Sequence, residues 1–206
     1  MSRTPMLKGL RFPSATREPL MFIQTEQTPN PATLKFLPGR VVMVGGTANF
    51  TDPETAARLS PLAERLFALP YVAGVFLGAD FITVTKHGDG DWYQLKPAIL
   101  AVIMEHFTAG RPVLLAASVD SPVVEPSDED EGTVVSQIKE LLETRVRPAV
   151  AQDGGDIIFH DYEAGIVYLH MQGSCSGCPS STATLKAGIE NMLRYYIPEV
   201  EEVRAV

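Results

Sequence analysis

Apolar residues recur along this chain at two spacings, and the alternation between them marks out its elements. Phe22, Ile23 and Thr25 read as a strand, and Thr33–Leu37 as its returning partner. Between them, Thr28-Pro29-Asn30-Pro31 is a turn, because proline lacks an amide donor and fits neither a helix interior nor a central strand. Leu59, Leu62, Leu66 and Leu69 fall three and four apart, which predicts one helix over about residues 52–68. Two β-rich runs follow, Val72–Leu77 and residues 81–85, joined at Gly78-Ala79-Asp80. The stripe Leu95, Ile99, Ile103, Phe107 then predicts a helix over Trp92–Thr108.

Periodicity stops at residues 110–132, which Pro112, Pro122 and Pro126 punctuate and Asp128-Glu129-Asp130-Glu131 closes. Such a segment offers too little apolar area to offset the entropy of ordering it, so a flexible, self-repelling linker is expected. Helical spacing resumes after Thr133 with Val135, Ile138, Leu142 and Val146. Pro148 kinks that helix, and Gly154-Gly155 ends it with residues suited to left-handed backbone angles. Residues 156–162 and 166–171 form a hairpin around Glu163-Ala164-Gly165. A helix begins at Pro179 with Leu185, Ile189, Met192 or Leu193, and Tyr196 on one face, Pro198 stops it, and residues 200–206 can add a strand.

The expected fold class is therefore α/β of the α+β kind. Two small domains each pack helices on a mixed or antiparallel sheet. Residues 1–20 form a disordered extension, 21–109 the first domain, 110–132 the acidic linker and 133–206 the second domain.

Charge narrows the function classes. The net charge is -8, and it is uneven: residues 1–117 carry 11 Lys+Arg against 9 Asp+Glu, residues 118–132 carry 6 acids and no base, and residues 133–206 carry 10 acids against 6 bases. No basic stripe with aromatics exists for a nucleic acid, and no stretch approaches the ~18 apolar residues of a membrane-spanning helix. Arg3, Lys8, Arg11 and Arg17 lend the first 20 residues a weak transit-peptide character, which Pro5, Pro13 and Pro19 oppose. A bacterial cytoplasmic setting is expected, with the mitochondrial matrix as the alternative.

Both cysteines of the chain lie in one motif, Cys175-Ser176-Gly177-Cys178, in a strand-to-helix loop expected to be exposed. Pro179 suits the first helical position, which sets Cys178 near the N-cap, where the helix dipole favours thiolate. Gly173 and Gly177 let backbone amides approach a bound sulfur. Three chemistries fit this spacing. Thiol–disulfide exchange would use Cys175 as nucleophile and Cys178 to resolve it, although the preceding β-hairpin differs from the usual setting of redox motifs. Zinc and an iron–sulfur cluster each want about four ligands, and His160 and His170 sit on strands where packing or solvent exposure is the default. One chain brings two thiolates, so either metal reading requires two chains to donate a pair each across a twofold axis. Spacing alone leaves exchange and cluster binding both open.

The flanking residues carry more. Residues 148–156, Pro-Ala-Val-Ala-Gln-Asp-Gly-Gly-Asp, the hairpin, and Gly173-Ser174-Cys175-Ser176-Gly177-Cys178-Pro179 closely resemble the C-terminal domain of NifU, the Nfu family. Residues 21–36, with Gln27-Thr28-Pro29-Asn30-Pro31-Ala32-Thr33, resemble the Nfu N-terminal domain. The resemblance implies a carrier that is not an enzyme. It would hold a 4Fe–4S cluster between two copies of itself on Cys175 and Cys178, take it from upstream assembly proteins and deliver it to apo iron–sulfur proteins. No cysteine or paired carboxylate equips the first domain for chemistry. Target or partner recognition is the task expected of it.

Overall fold

In the computed structural model, residues 22–88, 90–115, 133–176 and 179–206 are described. The N-terminal extension, most of the acidic segment, and Gly177 and Cys178 lie outside these residues, as do the expectations placed on them.

The first half is an antiparallel five-stranded sheet. Its strands β1 (Gln24–Gln27), β2 (Thr33–Leu37), β3 (Ala48–Phe50), β4 (Val72–Leu77) and β5 (Ile82–Lys86) lie in the order β1-β2-β5-β4-β3. Three helices, α1 (Pro53–Leu59), α2 (Pro61–Phe67) and α3 (Trp92–Thr108), build a core with one face of it. Leu34, Phe36, Val75, Leu77, Ile82 and Val84 supply the sheet side of that core, and Leu62, Leu66, Leu95, Ile99 and Ile103 the helix side. The single helix expected over 52–68 is two. Pro61 has no N–H to continue the first, and the Ser60 side chain accepts from the Ala63 amide at 3.0 Å, capping the second. The chain past Gly110 stays on this core through Leu115: Ser60 Oγ donates to the Val113 carbonyl at 2.6 Å and the Leu115 amide to the Leu59 carbonyl at 2.9 Å.

The other face of this sheet is also buried. Side chains alternate across a strand, so Lys35 on β2, its cross-strand partner Thr83 on β5 and that residue's partner Phe76 on β4 form one row pointing away from the helices. Their exposures are 6%, 0% and 1%. The second half of the molecule covers them.

That half packs α4 (Thr133–Leu141), a π-helical turn (Leu142–Val146), α5 (Arg147–Gln152) and α6 (Pro179–Tyr196) on a sheet of β6 (Gly155–Glu163), β7 (Ile166–Gly173) and β8 (Glu202–Ala205). The β6–β7 pair is an antiparallel hairpin, turned by Ala164 and Gly165 at φ 49° and 82°. The β7–β8 pair is parallel, with α6 as its crossover. Ile138, Leu142, Val146 and Val150 on the helical run, Ile157, Val167 and Leu169 on the sheet, and Ile189 and Leu193 on α6 close the second core. The α+β architecture in two small units, each a sheet with helices packed on it, is the one expected.

Candidate functional site

The cysteine loop runs from the end of β7 to the start of α6, and Pro179 opens that helix. Its geometry depends on three glycines. Gly173 adopts φ 63°, and a Cβ there would lie 2.7 Å from the Gly154 carbonyl oxygen and 3.0 Å from the Phe76 ring. Gly154, at φ 82°, ends α5, and a Cβ on it would lie 2.7 Å from Thr83 Oγ1. A Cβ on Gly155 would lie 2.5 Å from Cys175 Sγ. The sulfur thus occupies the space that any other residue at 155 would fill. The loop is pinned by its own polar groups: Ser174 Oγ donates to the Asp153 carbonyl at 2.5 Å, Ser176 Oγ to the Gly173 carbonyl at 2.9 Å, and Thr182 Oγ1 to the Cys175 carbonyl at 3.1 Å.

Cys175 is 5% exposed and belongs to the second core, which corrects the expectation of an exposed loop. Burial pushes its thiol up to about 11, with Asp153 and Asp156 adding to the rise and the Ser174 side chain opposing it. In this arrangement it is a thiol. Cys178 lies outside the described residues. Among the described residues no group of three or more His, Cys, Asp and Glu side chains could hold a metal ion. His160 and His170 are exposed, and His170 Nδ1 pairs with the Val206 carbonyl at 3.0 Å. Cys175 is the soft donor among the described residues of the loop, and the glycine cradle approaches its sulfur closely.

Beside the loop, Asp156 is 3% exposed and accepts four hydrogen bonds. Arg147 holds it bidentately, Nε to Oδ1 and Nη2 to Oδ2, both at 2.8 Å. Thr47 Oγ1 reaches it from the first half at 2.9 Å, and the Ile157 amide donates at 2.8 Å. The carboxylates of Asp156 and then Glu143 raise the Arg147 guanidinium further above its ordinary value against some desolvation.

Sequence reasoning missed the residues through which the first half meets the loop. Asn30 Oδ1 accepts from the Ala32 amide at 2.9 Å, shaping the Thr28–Pro31 turn, while its Nδ2 donates to the Ser176 carbonyl at 3.0 Å and the Ser174 carbonyl at 3.4 Å. Lys35 Nζ donates to the Ala151 and Gln152 carbonyls at the end of α5, at 3.1 and 2.9 Å. Thr83 Oγ1 donates to the Gly154 carbonyl at 2.7 Å. Trp92, which begins α3, anchors the same turn from Nε1 to the Pro31 carbonyl at 3.2 Å. One signal was available. The near-continuous apolar run of β4 is that of a strand covered on both faces.

Comparison with known proteins agrees with this division. Residues 23–110 match the family model described as "Scaffold protein Nfu/NifU N terminal", and residues 138–204 match "NifU-like domain". Among the relatives is the "NFU1 iron-sulfur cluster scaffold homolog, mitochondrial" of Drosophila sechellia. It is 53% identical over 202 residues, covering 97% of this chain and 70% of the relative. The protein of the same name in Drosophila yakuba is 51% identical over 207 residues, covering 100% of this chain and 71% of the relative. The solution structure of a NifU-like protein from Saccharomyces cerevisiae aligns at 24% identity and a TM-score of 0.44, over 56% of this chain and 99% of that one. These relatives overturn the expectation of a bacterial cytoplasmic setting, since the proteins that align over nearly the whole chain are mitochondrial by name.

Proposed function

The chain belongs to the Nfu/NifU family of iron–sulfur cluster scaffold proteins, and on that premise we propose that its cargo is a 4Fe–4S cluster held between two copies by Cys175 and Cys178 of each. One structural observation supports this reading most directly: glycines at 154, 155 and 173 leave the loop free of competing side chains, and the Ser174 and Ser176 hydroxyls are spent on main-chain carbonyls, so Cys175 is its strongest ligand among the described residues. The ligand arithmetic supplies the rest. Two thiols per chain leave a four-thiolate site half complete, and a second copy completes it with an identical surface.

Each part of the loop then has a task. Cys175 and Cys178 supply the soft anionic ligands, and the glycine-rich turns that carry Cys175 are held by main-chain bonds such as Ser174 N–H to the Gly154 carbonyl and Cys175 N–H to the Gln172 carbonyl. Asp156, fixed by Arg147, holds the start of β6 and so the cradle at Gly155. No side chain of the loop is a strong competing ligand, which suits a carrier that takes its cargo from assembly proteins and gives it up to apo-proteins. The setting proposed for this exchange is the mitochondrion, by analogy with the relatives.

Anaerobic reconstitution with iron and sulfide tests the proposal. The expected product is brown, absorbs broadly near ~400 nm, contains about four irons and four sulfides per two chains, and elutes as a dimer where the apo-protein elutes as a monomer. A colourless protein that reduces disulfides would replace cluster carriage with thiol exchange. A loaded protein that remains monomeric would mean that the second copy is not the source of the missing ligands.

A further inference from the structure

We infer that the N-terminal half is a cap for the cysteine loop of its own chain, and that the loop must leave this cap before two chains can share a cluster. The inference rests on the ligand assignment proposed above. It assigns the N-terminal half a partner, namely main-chain atoms of residues 151–154 and 174–176.

Three observations meet at this surface. First, the sheet face that carries Lys35, Thr83 and Phe76 is buried although no helix of its own half lies on it. A lysine that is 6% exposed, with its amine 4.7 Å above the Phe81 ring and 3.5 Å from Glu26, directs its hydrogen bonds at the two carbonyls ending α5. A cation at a helix C-terminus is a favourable pairing, and burying the amine without those carbonyls would be costly. Second, the opposing surface is flattened by glycine. Side chains at 154 and 173 would strike Thr83 Oγ1 and the Phe76 ring, so the two halves fit only because those positions carry none. Third, Asn30 donates to the carbonyls of Ser174 and Ser176, the residues on either side of Cys175. It holds the peptide group before Cys175 and the carbonyl of the residue after it while the sulfur lies inward, against Gly155 and among the core residues.

A ligand shared by two chains has to face outward from each. Cys175 is 5% exposed beneath the loop that Asn30 holds, so bringing its sulfur to a second chain moves that loop off Asn30, and the inward state and the shared site exclude each other. The Thr28–Pro31 turn thereby acquires a role: it presents the amide that latches the loop.

The test uses the full-length chain carrying Asn30→Asp and Lys35→Met. Aspartate keeps the oxygen that accepts from the Ala32 amide and loses the donor to the loop. Methionine keeps an unbranched stem over Phe81 and loses the amine. Circular dichroism should match the parent, because neither substitution removes an apolar core contact. Amide hydrogen exchange at residues 151–154 and 172–176 of the apo-protein should accelerate by roughly tenfold or more, as expected from losing several buried, partly charge-assisted bonds. Anaerobic loading, followed by the rise near ~400 nm, should become several-fold faster and reach the same iron content. In the parent, loading should deprotect residues 28–35. Loading at an unchanged or slower rate in the variant, or residues 28–35 still protected in loaded parent, overturns the cap. Failure of the underlying ligand assignment is read separately, as iron content that survives Cys175→Ser in the same full-length chain.

Discussion

The two halves of the molecule treat their polar atoms in opposite ways. The N-terminal half sends buried side-chain donors outward, from Asn30, Lys35 and Thr83. The C-terminal half answers with main-chain carbonyls, at residues 151, 152, 154, 174 and 176, brought within reach by glycine turns. A side-chain donor is lost by one substitution. A main-chain acceptor cannot be deleted, but it can be displaced by added volume. The first half should therefore be sensitive to lost chemistry and the second to gained atoms, with the thiols and Asp156 as the places where the second half also depends on its side chains.

The largest effect is expected at those thiols. Cys175→Ser or Cys178→Ser should each abolish iron and sulfide retention, because the proposed two-chain site would lose two of its four ligands at once and a protonated serine hydroxyl is a poor ligand for iron. Cys175→Ser should also cost about 1–2 kcal/mol of apo stability, since the hydroxyl enters a buried apolar site. Iron analysis and chemical denaturation measure the two losses. Retained iron in either variant would remove that residue from the ligand set.

Asp156→Ala comes next. It leaves the Arg147 guanidinium without its bidentate partner and orphans Thr47 Oγ1, and should destabilise the chain by about 3 kcal/mol. Urea melts should show it, whereas a cost near zero would mean that Arg147 finds a replacement in Glu143, already 2.5 Å away. Gly155→Ala adds only a methyl group, yet that group meets Cys175 Sγ at 2.5 Å and the Gln172 carbonyl at 2.7 Å. A loss of about 2 kcal/mol is expected in urea melts, together with faster reaction of the Cys175 thiol with an alkylating reagent as it is pushed from its inward position. An alanine tolerated without either effect would break the claim that the second half is the volume-sensitive one.

Much of this was legible in the chain. Strand β2, strand β4 and helix α3 stand where their apolar spacing put them, because each stripe is unbroken and each end carries a turn residue. The break at Ser60-Pro61 was overridden by a leucine spacing that runs across it, and the short β3 lies behind Gly45-Gly46 without a pattern of its own. The cysteine motif announced chemistry by composition and spacing. Its burial did not show, because what buries Cys175 is the absence of side chains at residues 154, 155 and 173. Asn30 was readable as a turn former and unreadable as a latch, since its partners are carbonyls 144 and 146 positions away that no side-chain pattern reports.

His106 carries the smallest expected effect and sharpens the first half of the comparison. It is fully buried against the edge of Phe107, with ring centroids 5.7 Å apart. Burial first, then the charges of Arg65 on α2 and Arg111 after α3, hold its pKa below the ordinary 6.5, while the main chain at Pro112 and Arg111 acts the other way. Glu105, paired with Arg65 at 2.6 Å, tempers that positive field. The depressed folded pKa fixes the sign. Above pH 6.5 the ring is neutral in both folded and unfolded chains, and as pH falls below 6.5 the unfolded chain takes up the proton first. Stability is therefore lost on acidification, by a few degrees of melting temperature. His106→Gln should flatten that limb, and a melting curve equally pH-dependent in the variant would place the acid sensitivity elsewhere.

The distance in sequence between Asn30 and the loop it grips has a consequence for the order of assembly. Contacts inside each half are mostly between neighbouring elements, whereas the latch closes a span of 146 residues. Loop-closure entropy grows only as the logarithm of that span, so the docking is slow to find rather than expensive to keep. A chain made from its N-terminus completes the five-stranded sheet, and exposes the row Lys35, Thr83, Phe76, before Cys175 has been synthesised. The thiol is thus born into a molecule whose first sheet is already folded, and the interval in which it stands uncovered ends when the C-terminal half has folded and docked.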